Sequence, residues 1–286
     1  MWRWSLNGAG TRVHNEHTAM DAGLMESDPA AGGLYWHVLD ITLSETSAVT
    51  AVGLTPSAGL ELVVPFRTVS TRVHFVDAER RPVTPAEGDL HHRNETIAGS
   101  GDPWLVLHLA RPGRTWTTAA RLGLTVPLGH TVPDPFELGR QGIAHQHVQL
   151  GTGTWDPLLG AGIGRRAGSI ELSLVGLARL MLYNNDHGYR ASTRYQASLR
   201  AERPLAAAWR VSAGLDLARE QTERWHGRRD EEEGNLGRTD LLLALGVARS
   251  VPGVGGLSLS VSVPLVTHTA GAQLDYPVIV SVGIAR

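Results

Sequence analysis

The feature that most constrains this chain is a two-residue hydrophobic alternation held over unusually long stretches. From Tyr189 to Glu202 the odd positions read Tyr189, Ala191, Thr193, Tyr195, Ala197, Leu199 and Ala201. The even positions read Arg190, Ser192, Arg194, Gln196, Ser198, Arg200 and Glu202. Side chains of a strand point alternately to its two faces, so this ribbon is greasy on one side and bears three arginines on the other. The pattern recurs. Trp209, Val211, Ala213, Leu215 and Leu217 oppose Arg210, Ser212, Gly214, Asp216 and Ala218, and Leu257, Leu259, Val261 and Val263 interleave with Ser258, Ser260 and Ser262. Ile170, Leu172 and Leu174 oppose Glu171 and Ser173; Ala120, Leu122 and Leu124 oppose Arg121 and Thr125; Val278, Val280, Val282 and Ile284 close the series. Such runs, about 10 to 15 residues each, exceed the usual strand of a globular sheet. They suit a strand tilted across a bilayer.

Hydropathy points the same way. No stretch of 18 residues is apolar throughout, which excludes a helical membrane protein. Mean hydropathy is only -0.10, the near-neutral value a barrel gives when lipid-facing and lumen-facing residues alternate. The 33 glycines and 15 prolines supply many turns. With no cysteine there is neither a disulfide framework nor a thiolate metal site. All 26 basic residues are arginine, and a net charge of -2 gives no support for a nucleic-acid partner.

The connections offer an independent test. Tight turns are expected at 55–58, 111–114, 165–168, 203–205 and 252–255. Looser ones are expected at 76–100, 128–144, 184–188 and 224–236, with short ones near 44–47 and 269–272. Short turns at one end and long loops at the other are the rule for bacterial outer-membrane barrels. Taking 146–165 as one irregular strand, with GTGTWDP as a bulge, gives about twelve strands and places both termini on the periplasmic side. The expected fold is therefore an all-β, up-and-down antiparallel transmembrane β-barrel over 33–286. Residues 1–32 lack clear periodicity and read as an irregular segment, periplasmic or plugging the lumen. Trp116 and Trp209 beside tight turns, with Tyr183, Tyr189 and Trp225 beside loose ones, fit thin interfacial belts. The opening MWRWSLNGAG lacks the continuous apolar core of a signal peptide, so a mature or trimmed form of an exported protein is expected.

The run GLTVPLGHTVPDPFELGRQGIAHQHVQLGTGTWDPLLGAGIG, from Gly123 to Gly164, resembles the outer-membrane, transporter-like proteins named for phenol degradation by meta-cleavage. Further similarities are Leu62 to Phe66, Gly101-Asp102, the NNDHGYR stretch from Asn184 to Arg190, Ser262 to Leu265 and Gly271 to Leu274. The resemblance covers roughly 34–286, and its distinctive part is GTGTWDP. It implies a twelve-stranded outer-membrane barrel of a Gram-negative cell that acts as a transporter, and the family name points to hydrophobic or aromatic solutes. One departure is Arg286 at the last position, where barrels of this kind commonly carry an aromatic.

On parity, the charges facing the lumen are Arg121, Glu171, Arg179, Arg190, Arg194, Arg200, Arg210, Asp216, Glu220, Arg238 and Asp240. Rings of charge select what a channel passes, yet Arg–carboxylate pairs can equally fill and stiffen a barrel of this size. Structural pairing is the simpler expectation. Thirteen histidines raise the question of a metal; His145 with His147, His14 with His17, and His91-His92 are the close sets, but none converges by spacing on a tetrahedral site. Catalysis has no carrier: there is no G-x-S-x-G elbow, GTGTWDP is followed by no lysine or helix as a phosphate loop requires, and Ser262 with His268 would face the lumen. Asp230 to Glu233 read as a solvated loop tip. The expected protein is an outer-membrane channel or transporter for small molecules, not an enzyme and without cofactor or metal. Its partners are membrane lipid and a small solute in the lumen. The competing readings are a non-conducting structural or binding barrel plugged by its own charges, and a soluble β-sandwich.

Overall fold

The computed structural model describes residues 2–18, 35–84, 93–229, 234–270 and 274–286. In chain order the strands are β1 (Trp2–Thr18), β2 (Trp36–Thr55), β3 (Ala58–Val76), β4 (Pro82–Val83), β5 (Glu95–Ser100), β6 (Trp104–Pro112) and β7 (Trp116–Thr125). A short helix α1 (Pro135–Arg140) follows. Then come β8 (Pro157–Ala167), β9 (Ile170–Arg179), β10 (Tyr189–Arg190), β11 (Arg194–Ala206), β12 (Trp209–Glu220), β13 (Arg224–Trp225), β14 (Arg238–Val251), β15 (Gly255–Thr269) and β16 (Ile279–Ala285).

Fourteen of these form one antiparallel sheet, and it closes on itself because β1 pairs with both β2 and β16. β4 is a stub on the end of β3, and β5 with β6 makes one wall strand broken at residues 101–103. Removing the one and merging the other leaves a closed barrel of twelve strands. Closure joins the sheet's two ends, as a sheet in hydrocarbon requires, while β5 and the upper part of β1 (11–18) each pair with one neighbour. Tight turns join β2 to β3, β6 to β7, β8 to β9, β11 to β12 and β14 to β15, and both termini lie at that same end, where Trp4 and Arg286 exchange backbone hydrogen bonds of 2.9 Å. All longer connections gather at the other end; the longest of those described in full is 126–156.

The wall is inside out relative to a soluble protein. Leu62, Val64, Leu122, Leu159, Ile163, Leu172, Leu174, Leu199, Leu217, Leu245, Leu259 and Val282 are all exposed, and the register puts them together on the outer face. Trp116 and Trp209 sit on that face near the tight turns, with Arg165 and Arg249 stacked over their rings at 5.0 and 5.1 Å. An amphipathic ring capped by a cation belongs at a headgroup interface.

Three expectations are corrected. Trp2–Thr18 is a barrel strand rather than an irregular segment, pairing with β2 along its whole length; residues 19–34 lie outside the described set. Its pattern hides because the outward face changes from Trp4 and Leu6 to Gly8, Gly10 and then Arg12, His14 and Glu16. No turn exists at 44–47: Ser44 to Ser47 pair without interruption with Thr68 to Pro65 on β3, and Glu45 reaches Arg67 across the inner face at 2.7 Å. Finally, 146–156 is not strand; β8 begins only at Pro157. The missed strand and the false turn offset each other in the count.

Candidate functional site

Ten of the eleven charges singled out by parity lie on the inner side of wall strands; the exception is Arg190. The alternation that seemed to run from Tyr189 breaks at 191–193, and Arg190 belongs to a small ribbon in which β10 pairs with β13, off the wall. Across the inner face the charges mostly pair. Arg200 donates to both oxygens of Asp216 at 3.0 and 2.9 Å, and Ser198 Oγ donates to the same carboxylate at 2.6 Å. Arg194 meets Glu220 at 3.1 Å and Arg210 meets Glu202 at 2.9 Å. Arg238 grips Asp240 with two donors at 2.7 and 2.8 Å, donates to Leu274 O at 2.9 Å, and lies 4.1 Å over the Tyr276 ring, which ties the stretch before β16 to the mouth. Ser262 is inward, but a register shift between β14 and β15 turns His268 outward, so the two do not share a face. Parity cannot foresee a bulge.

Sequence spacing missed the most buried ionic cluster among the described residues. Arg179, on the inner face of β9, donates from Nη2 to Asp156 Oδ2 at 2.8 Å and lies 3.4 Å from Asp102 Oδ2. Both carboxylates are shut from solvent, with side-chain exposures of 0% and 1%. Thr152 Oγ1 stands 2.8 Å from Asp102 Oδ2 and 2.9 Å from Asp156 Oδ2, so its one proton bridges them. Thr154 Oγ1 donates to Asp156 Oδ1 at 2.5 Å and Thr125 Oγ1 to Asp156 Oδ2 at 3.1 Å; Asp102 also accepts the Thr152 and Gly129 amides at 2.7 and 2.9 Å. GTGTWDP is therefore an anchor. Its threonines and aspartate satisfy an arginine that would otherwise be a costly buried charge.

What the knot anchors is a segment folded into the barrel. From His145 to Thr152 the chain descends the inner face of β5: Arg93 donates to His145 O at 3.1 Å, Gln146 to Glu95 at 2.6 Å, and Thr152 to Asp102. Leu150, 3% exposed, fills the place where Gly99 has no side chain, and Arg67 of β3 donates to its carbonyl at 3.3 Å. At its other end the segment reaches the β12–β14 connection. Asp134, which caps α1 by accepting the Phe136 amide at 2.9 Å, stands 3.4 Å from His226, and Phe136 packs edge-on against Trp225 with ring centres 6.4 Å apart. The segment therefore crosses the mouth from β5 to the far loops. Beneath Trp225, Tyr189 Oη donates to Glu223 at 3.3 Å, and burial pushes both groups above their ordinary ranges.

The tight-turn half of the lumen is different. β8 presents Gly160, Gly162 and Gly164 inward, and β15 presents Ser258, Ser260 and Ser262. Two hollows open there, of about 640 Å³ beside Arg3, Glu61 and His108, and about 340 Å³ beside Thr117, Gly162 and Arg166. Among the described residues no three His, Asp or Glu gather to hold a metal. His14 pairs with Asp40 and Glu16 on the outer side at 3.4 and 3.3 Å, while His145 and His147 meet edge-on inside the segment with ring centres 5.2 Å apart; His91-His92 and Asp230 to Glu233 lie outside the described residues.

A closed antiparallel wall with apolar side chains outward, polar ones inward, short turns at one end and long loops at the other defines a β-barrel of the outer-membrane type. A solved structure of like fold agrees. The chain superposes over its full length on 95% of an outer membrane channel from Pseudomonas putida F1, with a TM-score of 0.64 and 16% identity, a likeness of fold. A Pseudomonas aeruginosa FadL homologue aligns with a TM-score of 0.42 and 12% identity over 99% of this chain and 89% of that one. OmpT, an outer membrane protein of Vibrio cholerae, aligns with a TM-score of 0.42 and 7% identity, over 99% of each chain. No family model and no curated protein matches the sequence.

Proposed function

We propose that this protein is an outer-membrane channel for small solutes whose conductance is set by the inward segment 126–156. The tight turns and termini face the periplasm and the long loops face outside, in keeping with the barrel rule. One observation carries the reading: the lumen opens into hollows at the periplasmic half, beside the inward glycines of β8, and a buried ionic knot holds the segment across the opposite mouth. A purely structural barrel has no need to leave its lower half hollow. The inner ion pairs stiffen the wall around that space. The similarity of 123–164 to transporter-like proteins named for phenol degradation supports hydrophobic or aromatic solutes, and membrane lipid is the other partner. The second reading, a non-conducting binding or structural barrel, draws on the number of inner pairs. Planar-bilayer recording separates the two. Brief or small steps from the native chain, and steady larger steps once 130–150 is replaced by a short glycine-serine linker, support the channel. Silence from both forms of a correctly folded barrel supports the plugged one.

A further inference from the structure

The charges of the inner wall are unevenly placed along the barrel. On the inner face Glu45 pairs with Arg67, Glu95 with Arg93 at 2.8 Å, Glu202 with Arg210, Asp216 with Arg200, Glu220 with Arg194 and Asp240 with Arg238, while Asp102 and Asp156 share Arg179 and Glu61 meets His108 at 3.2 Å. Three inward arginines have no carboxylate within 4.0 Å among the described residues: Arg3 on β1, Arg121 on β7 and Arg166 on β8. Glu171, opposite Arg166 in the β8–β9 register, forms no ion pair with it. With histidine counted as uncharged, these three guanidinium charges stand against the carboxylates of Glu171 and Glu61, which leaves the open half of the lumen with a charge of +1.

Their placement matters as much as their number. Arg3 lines the larger hollow and Arg166 the smaller. Arg121 stands between them, in register with His108 of the larger and with Gly160, next to Gly162 of the smaller. Gly160, opposite it on β8, and Gly123 on β7 carry no side chain, and Arg121 keeps part of its surface exposed. Guanidinium carries its charge at every physiological pH and presents a planar fork to carboxylate oxygens.

We infer that the lumen selects small anions, organic carboxylates among them, through Arg3, Arg121 and Arg166. This rests on the channel reading and adds the charge class of the solute. Unpaired arginines lining a pore favour anions in the way rings of carboxylate favour cations. Arg121 has the greatest leverage, since it stands between the two hollows.

The test is the reversal potential in a tenfold potassium chloride gradient across a planar bilayer, using the linker-replaced form described above so that the pore conducts. The expected sign is that of a chloride-permeable pore. Arg121→Glu should lower the chloride preference by roughly fivefold or more, the weight of a two-unit charge change about 8 Å away through water. Arg121→Gln should give an intermediate value and guards against misfolding of the acidic variant. In liposome swelling, benzoate should enter faster than benzylammonium, which has the same ring and the opposite charge. Cation preference, or equal selectivity in all three forms, overturns the inference and leaves the channel standing. Absence of current from the linker-replaced barrel overturns both.

Discussion

Replacing Arg179 by methionine should free the inward segment. The guanidinium lies 2.8 Å from Asp156 and 3.4 Å from Asp102, and its removal strands two carboxylates that water does not reach. Breaking a buried pair from one side costs about 3–5 kcal/mol, because the remaining charge keeps its desolvation penalty without its partner. At tenfold per about 1.4 kcal/mol, opening of the segment becomes roughly 100- to 3,000-fold more frequent. The bonds from Arg67 to Leu150 and Arg93 to His145 survive, which favours the lower end. A reporter is easily placed, since the chain has no cysteine. Leu150→Cys puts one thiol at a buried position of the segment. A water-soluble maleimide should label it far faster with Arg179→Met than without. Adding Asp102→Asn and Asp156→Asn, so that no charge remains in the knot, should restore much of the protection. Equal labelling rates with and without Arg179 would refute the anchoring argument. A neutral triple variant that labels as fast as Arg179→Met would show that stranded charge is not the cause.

Other outcomes follow from the same geometry. Leu174→Arg, in the middle of the outward face at 48% exposure, should lower barrel stability in urea by about 2–4 kcal/mol, whereas Ser260→Arg on the inner face should cost much less. Gly168 turns β8 into β9 with φ of +62°, so Gly168→Val should cost about 1–2 kcal/mol in the same assay. Glu223 holds its proton more tightly folded than unfolded. The stability it adds to the contact with Tyr189 and Trp225 is thus full below the ordinary glutamate range and lost as pH rises through its elevated value. Amide exchange at 186–190 and 223–228, corrected for its intrinsic pH dependence, should accelerate with rising pH in the native chain and lose that trend in Glu223→Gln.

Much of the wall was legible because one physical rule, alternation every second residue, governs most strands; β9, β11, β12 and β15 show it plainly. β1 and the upper part of β2 escaped the rule for a common reason. These strands are long, and away from the tight-turn end their outward faces carry Arg12, His14, Glu16, Asp40, Thr42 and Ser44, so the apolar signal stops while the pairing continues. The alternation also misled at Arg190, where a loop ribbon happens to continue the phase of β11. Least legible was the knot. Asp102, Asp156 and Arg179 come from three places in the chain, and each alone looks like one more polar residue near a strand end. Only the fold brings them together. The distinctiveness of GTGTWDP was the available clue; its role as an anchor needed coordinates, because a threonine pair flanking glycine fits a bulge equally well.

A cysteine scan from Leu257 to Val263 in reconstituted liposomes tests the central claim most directly. Ser258, Ser260 and Ser262 should react with a small water-soluble thiol reagent, while Leu257, Leu259, Val261 and Val263 should react only with a membrane-soluble one, a strict two-residue rhythm with the polar positions wet. The reverse phase, with the leucine and valine sites reached by water, or no rhythm at all, would mean that these strands do not face lipid and would contradict the barrel.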